Sequence, residues 1–333
     1  MSVFLVNLRT YFTPTAIAQT LKKLPPLKTK VMDVIFSDRP QHPLAVIGVD
    51  EITAITQTAP VVRRGGQSVS IGGDGKAIDY YEPLPVRPSD SLTGKDLNDF
   101  KMLDPKAGRQ TWVNAKVDKL RRTARMTTEA MCSMAITGTI DYPMRLDGGG
   151  WDTYHVSYGP TLSFTAQTKW DATSAKIKDV YGDLLDMLLL IQENGWGGEI
   201  EIWGGKNVYK TLVGLADSST PKDKIKVEVK DGGIQIAEFL IKPNAETYKD
   251  PRTGAAKVKV DPDQIVMIAQ DGGHRLFYCA VDDLDANLLP MPFFVKPIPT
   301  GDPSGIKLVA ESKPFPAPNV QAICWADVMT TAG

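Results

Sequence analysis

KAGRQTWVNAKVDKLRRTARMTTEAMCSMAITG, residues 106–138, is the stretch that decides how the chain is read. It holds no proline, and its glycines stand near its two ends, at Gly108 and Gly138. Val113, Val117, Leu120, Ala124, Thr127, Met131 and Met134 recur at steps of three or four, which gathers them on one face of an α-helix. Lys116, Lys119, Arg121, Arg122 and Arg125 fall mostly off that stripe, to face water or another acidic surface. Gly138 suits a left-handed cap. A helix of about thirty residues reaches ~45 Å at about 1.5 Å per residue. That is long for a globular domain, so the helix is expected to be a spine on which sheets are hung.

Upstream, residues 1–43 read as an arm. Thr13 or Thr15 can cap a short helix with Pro14 in its first turn, and Pro25-Pro26 ends it. VMDVIF, residues 31–36, has strand or turn character. LAVIGVDEITAIT, residues 44–56, alternates like a strand, and the text to residue 92 carries Gly65-Gly66, Gly72-Gly73 and Gly75. This reads as a long two-stranded ribbon with a glycine-rich tip. Val69, Ile71, Lys76, Tyr80 and Tyr81 lie along it without an adjacent helix to cover them. A lone ribbon is marginal in water, so it is expected to rest on a partner.

Downstream, residues 141–159 give short strands around a Gly148–Gly150 turn. Asp171 or Thr173 is the expected cap of an amphipathic helix with Ile177, Val180, Tyr181, Leu184, Leu188 and Ile191 inward, ended by Gly195. EIEIWG reads as a strand, KNVYKTLVGLA as a short helix, and the remainder as β-rich. The prolines at 290–303 and 314–318 read as extended connectors. The fold class is therefore α+β.

A chain of 333 residues with 42% hydrophobic and 23% charged residues can bury a sizeable core and has an ordinary soluble composition. No apolar run reaches membrane-spanning length, and no signal peptide is legible. Three cysteines far apart in sequence argue against a disulfide framework or a zinc site and fit a reducing compartment. The net charge of −1 excludes a strongly basic nucleic-acid binder. Its distribution is uneven: residues 1–126 carry 19 Lys and Arg against 12 Asp and Glu, and residues 127–333 carry 19 against 27. A positive front and a negative back suit a chain that lies across a neighbouring copy; the asymmetry can equally be incidental.

Signs of chemistry are few. His42, His155 and His274 have no partners at catalytic or ligand spacing. GGDGK at 72–76 fails the phosphate-loop pattern, with Ser70 and Ala77 where that pattern needs Gly and Ser or Thr. Asp282, Asp283 and Asp285 lack the glycine and terminal Glu of a calcium loop, and read as a turn or helix cap. No catalytic residues, cofactor site or metal site is expected, and the chain is not read as an enzyme.

The order of parts resembles the major capsid proteins of tailed bacteriophages, and more closely the lambda-like capsid protein E family. The resemblance rests on LPVRPSDSLTG after the ribbon and RTARMTTEAMCSMAITGTI in the spine helix. It continues through EIWGGKNVYKTL to the tail from PFFVKPIPTGDPSGIKLVAESKPFPAPNVQAICWADVM. It implies the Hong Kong 97-like coat fold. Its parts would be an N-terminal arm (1–43), an extended hairpin loop and return (44–100), a peripheral domain with the spine helix (101–198), an axial domain (199–290) and a return segment (291–333). Val69, Ile71, Lys76, Tyr80 and Tyr81 would then make intersubunit contacts, and Val113, Val117, Leu120, Met131 and Met134 the core of the spine helix. The resemblance further implies a structural protein of the virion, assembled in the host cytoplasm from hexamers and pentamers of itself into an icosahedral shell. That shell would enclose double-stranded DNA held by non-specific contact only, with a portal, a decoration protein as a further partner, and no membrane. Folded-looking text starts almost at Met1, so a separate scaffolding protein is expected and not a fused one. Two other readings are an encapsulin-like nanocompartment shell and a tail or baseplate protein.

Overall fold

The computed structural model describes residues 10–48, 80–103, 107–218, 225–301 and 304–330. Its helices in chain order are α1 (Pro14–Lys23), α2 (Lys30–Val34), α3 (Gly94–Met102), α4 (Ala107–Ala135), α5 (Ile177–Glu193) and α6 (Lys206–Asp217). The chain divides into two compact units. One comprises residues 1–47, 82–135 and 275–317, the other 48–81, 136–274 and 318–333.

The first unit is built on α4, the spine helix, 29 residues long. Val113, Val117, Leu120 and Ala124 are buried against Phe12, Ile17, Leu92, Phe100 and the inner residues of a three-stranded antiparallel sheet. That sheet runs 294–300, 305–311, 89–93 in spatial order, with Val295, Ile306, Leu308 and Ala310 inward. Beyond Ala124 the buried stripe passes through Thr128, Met131 and Ala135, while Thr127 and Met134 are half-buried. Residues 128–133 are buried on every side of the helix. Thr128 and Ser133 donate their hydroxyls to the carbonyls of Ala124 and Glu129, at 3.0 and 2.7 Å, so their oxygens enter the interior satisfied.

Three local expectations change. VMDVIF opens as helix α2 and not as a strand, because the α2 amides of Val31 and Met32 meet a carboxylate from α4. The proline-rich text forms strands at Phe294–Thr300 and Pro314–Ala317 and not bare connectors. Both are edge strands, where a missing N–H costs no ladder bond. In the second unit neither Asp171 nor Thr173 caps α5. Asp179 reaches back to accept the Lys176 amide at 3.0 Å, and Asp171 instead accepts both the amide and hydroxyl of Thr330.

The second unit carries a seven-stranded mixed sheet in the order 162–165, 323–327, 264–269, 200–204, 239–243, 233–236, 227–230. One face sets Ile202, Ile241, Ile265, Met267 and Cys324 against Ile177, Val180, Leu184, Met187 and Ile191 of α5 and Val208 and Leu212 of α6. The opposite face buries Trp203, Val266, Ile268 and Ile323. The Trp203 indole donates to Glu201, which is paired with Lys242 at 2.7 Å. A hairpin of Thr139–Arg145 with Trp151–Ser157 belongs to this unit and is entered through Gly138 at φ +92°. A β-carbon there would lie 2.5 Å from the Gly159 carbonyl oxygen, so both backbone and space require glycine. The aspartates at 282–285 form the predicted turn: Asp283 caps a 3-10 turn at Leu284–Ala286 by accepting the Asp285 amide.

His274 shows how a histidine serves this fold. It is buried, it accepts the Asn319 amide on Nδ1 at 3.1 Å, and it donates from Nε2 to the Ala269 carbonyl at 3.0 Å. Making both bonds at once requires the neutral ring protonated on Nε2, since a proton on Nδ1 would face the Asn319 N–H donor. Burial pushes its pKa down to about 4. The unfolded chain, protonating near the ordinary value of 6.5, takes up a proton first as pH falls. Stability is therefore complete above about pH 6.5 and is lost down to about pH 4, by ~3 kcal/mol at about 1.4 kcal/mol per unit. Denaturant unfolding of the unassembled subunit from pH 7.5 to 4 is expected to show this loss, and His274→Gln to remove most of the slope.

Candidate assembly surfaces

Polar groups along α4 decide which surfaces are left for other molecules. The five cations singled out in the sequence are each paired within the chain. Lys116 and Lys119 reach Asp90 at 3.4 and 3.1 Å, and Arg121 and Arg122 share Asp118, both at 2.7 Å. Arg125 meets Asp33 at 2.5 Å. The acidic surface expected in water or elsewhere is thus supplied by α4 itself and by two segments distant in sequence.

Asp33 is the hub of the N-terminal contact. Its carboxylate also binds Arg39 at 2.6 Å and accepts the Thr29 amide at 2.7 Å. Burial pushes its carboxyl up, but hydrogen bonds from Arg39, the Thr29 amide and Arg125 outweigh burial and hold it at about 2. Arg121 donates to the Pro25 carbonyl at 2.8 Å, and Arg125 to the Thr29 hydroxyl at 2.9 Å. One turn further on, the fully buried Glu129 accepts the Val31 and Met32 amides, one per carboxylate oxygen, at 2.9 and 2.8 Å. A carboxylate at a helix N-terminus satisfies donors that have no intrahelical partner. This explains why an apolar six-residue text becomes helical. Periodicity could not reveal it, since Glu129 sits amid the buried stripe and its partners are 98 and 97 residues away.

Of the residues predicted to contact a neighbour, Val69, Ile71 and Lys76 lie outside the described residues. Tyr80 is 62% exposed, whereas Tyr81 donates its hydroxyl to the Ser157 carbonyl at 2.7 Å and packs its ring near Tyr158. Val113, Val117, Leu120 and Met131 are buried in the spine and Met134 is half-buried. Exposed apolar side chains occur on α5 (Leu185, Leu189), on α6 (Val213) and at Leu284, Leu288 and Leu289. Sequence periodicity missed these last three, since they sit in a turn. Among the described residues no group of three His, Cys, Asp or Glu is placed to hold a metal, and no helix is long and apolar enough to cross a membrane. None of the three cysteines is in a disulfide and all are buried, and burial raises Cys324 to about 12.

The described residues thus comprise a spine helix over a small sheet and a second unit around a mixed sheet. The fold is that of a protein described as the capsid protein of a prophage of Escherichia coli CFT073, with a TM-score of 0.61 at 16% identity, over 95% of this chain and 99% of that one. The model of the phage major capsid protein E family matches residues 13–328, and the chain belongs to that family. It is a structural capsid shell protein with the Hong Kong 97-like fold. Weaker likenesses extend to a phage-related protein of Bordetella bronchiseptica RB50 (TM-score 0.49, 11% identity, 97% of this chain and 99% of that one). Another is to the SrpI encapsulin of Synechococcus elongatus PCC 7942 (TM-score 0.44, 8% identity, 95% of this chain and 96% of that one). No curated protein matches the sequence.

Replacing Glu129 tests the clamp between α2 and α4. Glu129→Ala leaves two buried amides without acceptors and is expected to cost ~2–6 kcal/mol, at about 1–3 kcal/mol per unsatisfied group. Glu129→Gln, which keeps one acceptor oxygen, is expected to cost less. Chemical denaturation of the unassembled subunit reads both.

Proposed function

We propose that this capsid protein closes into an icosahedral shell of hexamers and pentamers around double-stranded DNA, and that its ribbon lies on an adjacent subunit. The observation that carries the reading is the family match over residues 13–328, nearly the whole chain. In this reading residues 1–43 serve as the arm, 44–100 as the extended hairpin loop and return, 101–198 as the peripheral domain, 199–290 as the axial domain and 291–333 as the return segment. α5, which the segment boundaries group with residues 101–198, packs among the strands of the second unit. Packaged DNA is held by non-specific contact only, which agrees with cations on α4 that already have carboxylate partners. A scaffolding protein supplied as a separate chain, a portal and a decoration protein are the proposed partners. Assembly takes place in the host cytoplasm, and the role is structural and not enzymatic.

Val69, Ile71, Lys76, Tyr80 and Tyr81 are the proposed ribbon contacts, and the Tyr81 hydroxyl also donates to the Ser157 carbonyl of its own subunit. Removing Ser68–Ile78 and rejoining the strands with a short turn is expected to leave circular dichroism and the melting transition of the subunit intact. Electron microscopy of the same variant is expected to find no closed shells, because a contact repeated at every lattice position is lost. Shells of normal size from the variant would refute the intersubunit role of the ribbon.

A further inference from the structure

The two units carry charge of opposite sign. The first holds 20 Lys and Arg against 14 Asp and Glu, the second 18 against 25. Two stretches concentrate the imbalance. Residues 1–32 hold five Lys and Arg and no acidic residue, and residues 179–205 hold six Asp and Glu and no basic one.

Each stretch sets part of its charge on a helix fixed to its own unit. The Thr13 hydroxyl caps α1 by accepting the Ala16 amide at 3.2 Å, and α1 buries Ile17 and Thr20. Its exposed residues include Ala18, Gln19, Lys22 and Lys23, and Lys28 is exposed just beyond it. Among the described residues none of these three lysines meets a carboxylate. Alongside them Arg121 donates to the Pro25 carbonyl at 2.8 Å, and the five cations of α4 already share three carboxylates. On α5 the exposed Leu185, Asp186, Leu189 and Glu193 fall on one face. Asp186 and Glu193 form no ion pair among the described residues, and the last turn of α5 has no cation to meet the negative end of its dipole. Lys178, the one cation of this helix, lies two turns before Leu185. Burial pushes the Asp183 carboxyl up, the Trp170 indole draws it down, and the charges of Asp186 and Asp179 push it up further.

Symmetry decides which surfaces meet. A ring of five or six identical subunits closes through a heterologous contact, in which two different patches of the chain face each other. A basic patch on one unit and an acidic patch on the other supply such a pair, whereas either patch set against itself repels. Leucines beside carboxylates also suit lysine, whose methylene stem covers apolar surface while its ammonium group reaches an anion.

Resting on the shell reading above, we propose that α1 and the turn after it in one copy dock on the exposed face of α5 in a neighbouring copy, with Lys22, Lys23 and Lys28 paired to Asp186 and Glu193 over Leu185 and Leu189. Such charge pairs steer encounter and fix which patches meet. The arm lysines then serve contacts between copies, while the cations of the spine serve the fold of one.

The test is charge exchange in the full-length protein, read as the threshold concentration for particle formation. K22E/K23E and D186K/E193K are each expected to raise the threshold ~10-fold or more, and the quadruple variant to recover most of that loss. All four positions are exposed, so circular dichroism and melting of the unassembled variants are expected to match wild type. A second measurement needs no variant: the wild-type threshold is expected to rise with added sodium chloride, which screens exposed pairs. A double variant that assembles at the wild-type threshold, a quadruple variant no better than the worse double, or a wild-type threshold that salt does not raise would overturn the proposal. K22E/K23E shells that form normally but lose bound DNA would overturn it too, by naming DNA as the partner of the lysines. Failure of the wild-type chain to form particles would instead overturn the shell reading on which it rests.

Discussion

Asp33, Asp90, Asp118 and Glu129 neutralise or cap what would otherwise be a strongly cationic helix and an uncapped one, and the first unit depends on them. Without Asp33 and Glu129, α2 would be five residues of weak intrinsic helicity with two donors buried and unmet. Without Asp90 and Asp118, four cations would repel along one side of α4. The N-terminal segment is therefore held to the spine by directed, partly buried charge contacts, and not by apolar area alone. Such contacts fix register because each needs its partner in one place.

That arrangement leaves a division of labour. Each of the five cations has a carboxylate partner within the chain, but the five share only Asp90, Asp118 and Asp33, so the helix keeps a net positive charge. Exposed apolar side chains among the described residues include Leu185 and Leu189 on α5, Val213 on α6 and the leucines at 284, 288 and 289. Scattered exposed leucines are normal on any protein. A coat subunit must be soluble before assembly and sticky at defined places during it. Contacts that are each weak and are repeated around a lattice meet both demands.

Much of this was legible in the sequence where a period carries the signal. The spine helix, α5 and the β-rich remainder follow from spacing, since one buried face imposes a repeat. The stripe drifted where periodicity stops being informative: over residues 128–133 the helix is buried all round, and Thr128 is buried where Thr127 is only half-buried. Proline misled at Pro297, Pro299, Pro314 and Pro316, because edge strands forgive a missing donor and a sequence does not announce which strand is an edge. Asp171 was a plausible cap in sequence and a tie to Thr330 in space. The partners of Arg125 and Glu129 lay beyond any local pattern, and the leucine loop has no period. Function was legible only through resemblance over the chain's whole length, as a structural protein offers no catalytic cluster to read.

The central claim is that the cations of the spine helix serve the fold of one subunit and not its contacts with others. A double-mutant cycle on Arg125 and Asp33 measures this directly, read once by denaturant unfolding of the unassembled subunit and once by the threshold concentration for assembly. The account predicts a coupling of ~1–2 kcal/mol in unfolding, as for a half-buried charge-assisted pair. It predicts no coupling beyond error in the assembly of variants that remain folded. Coupling confined to assembly, with additive effects on unfolding, would contradict it.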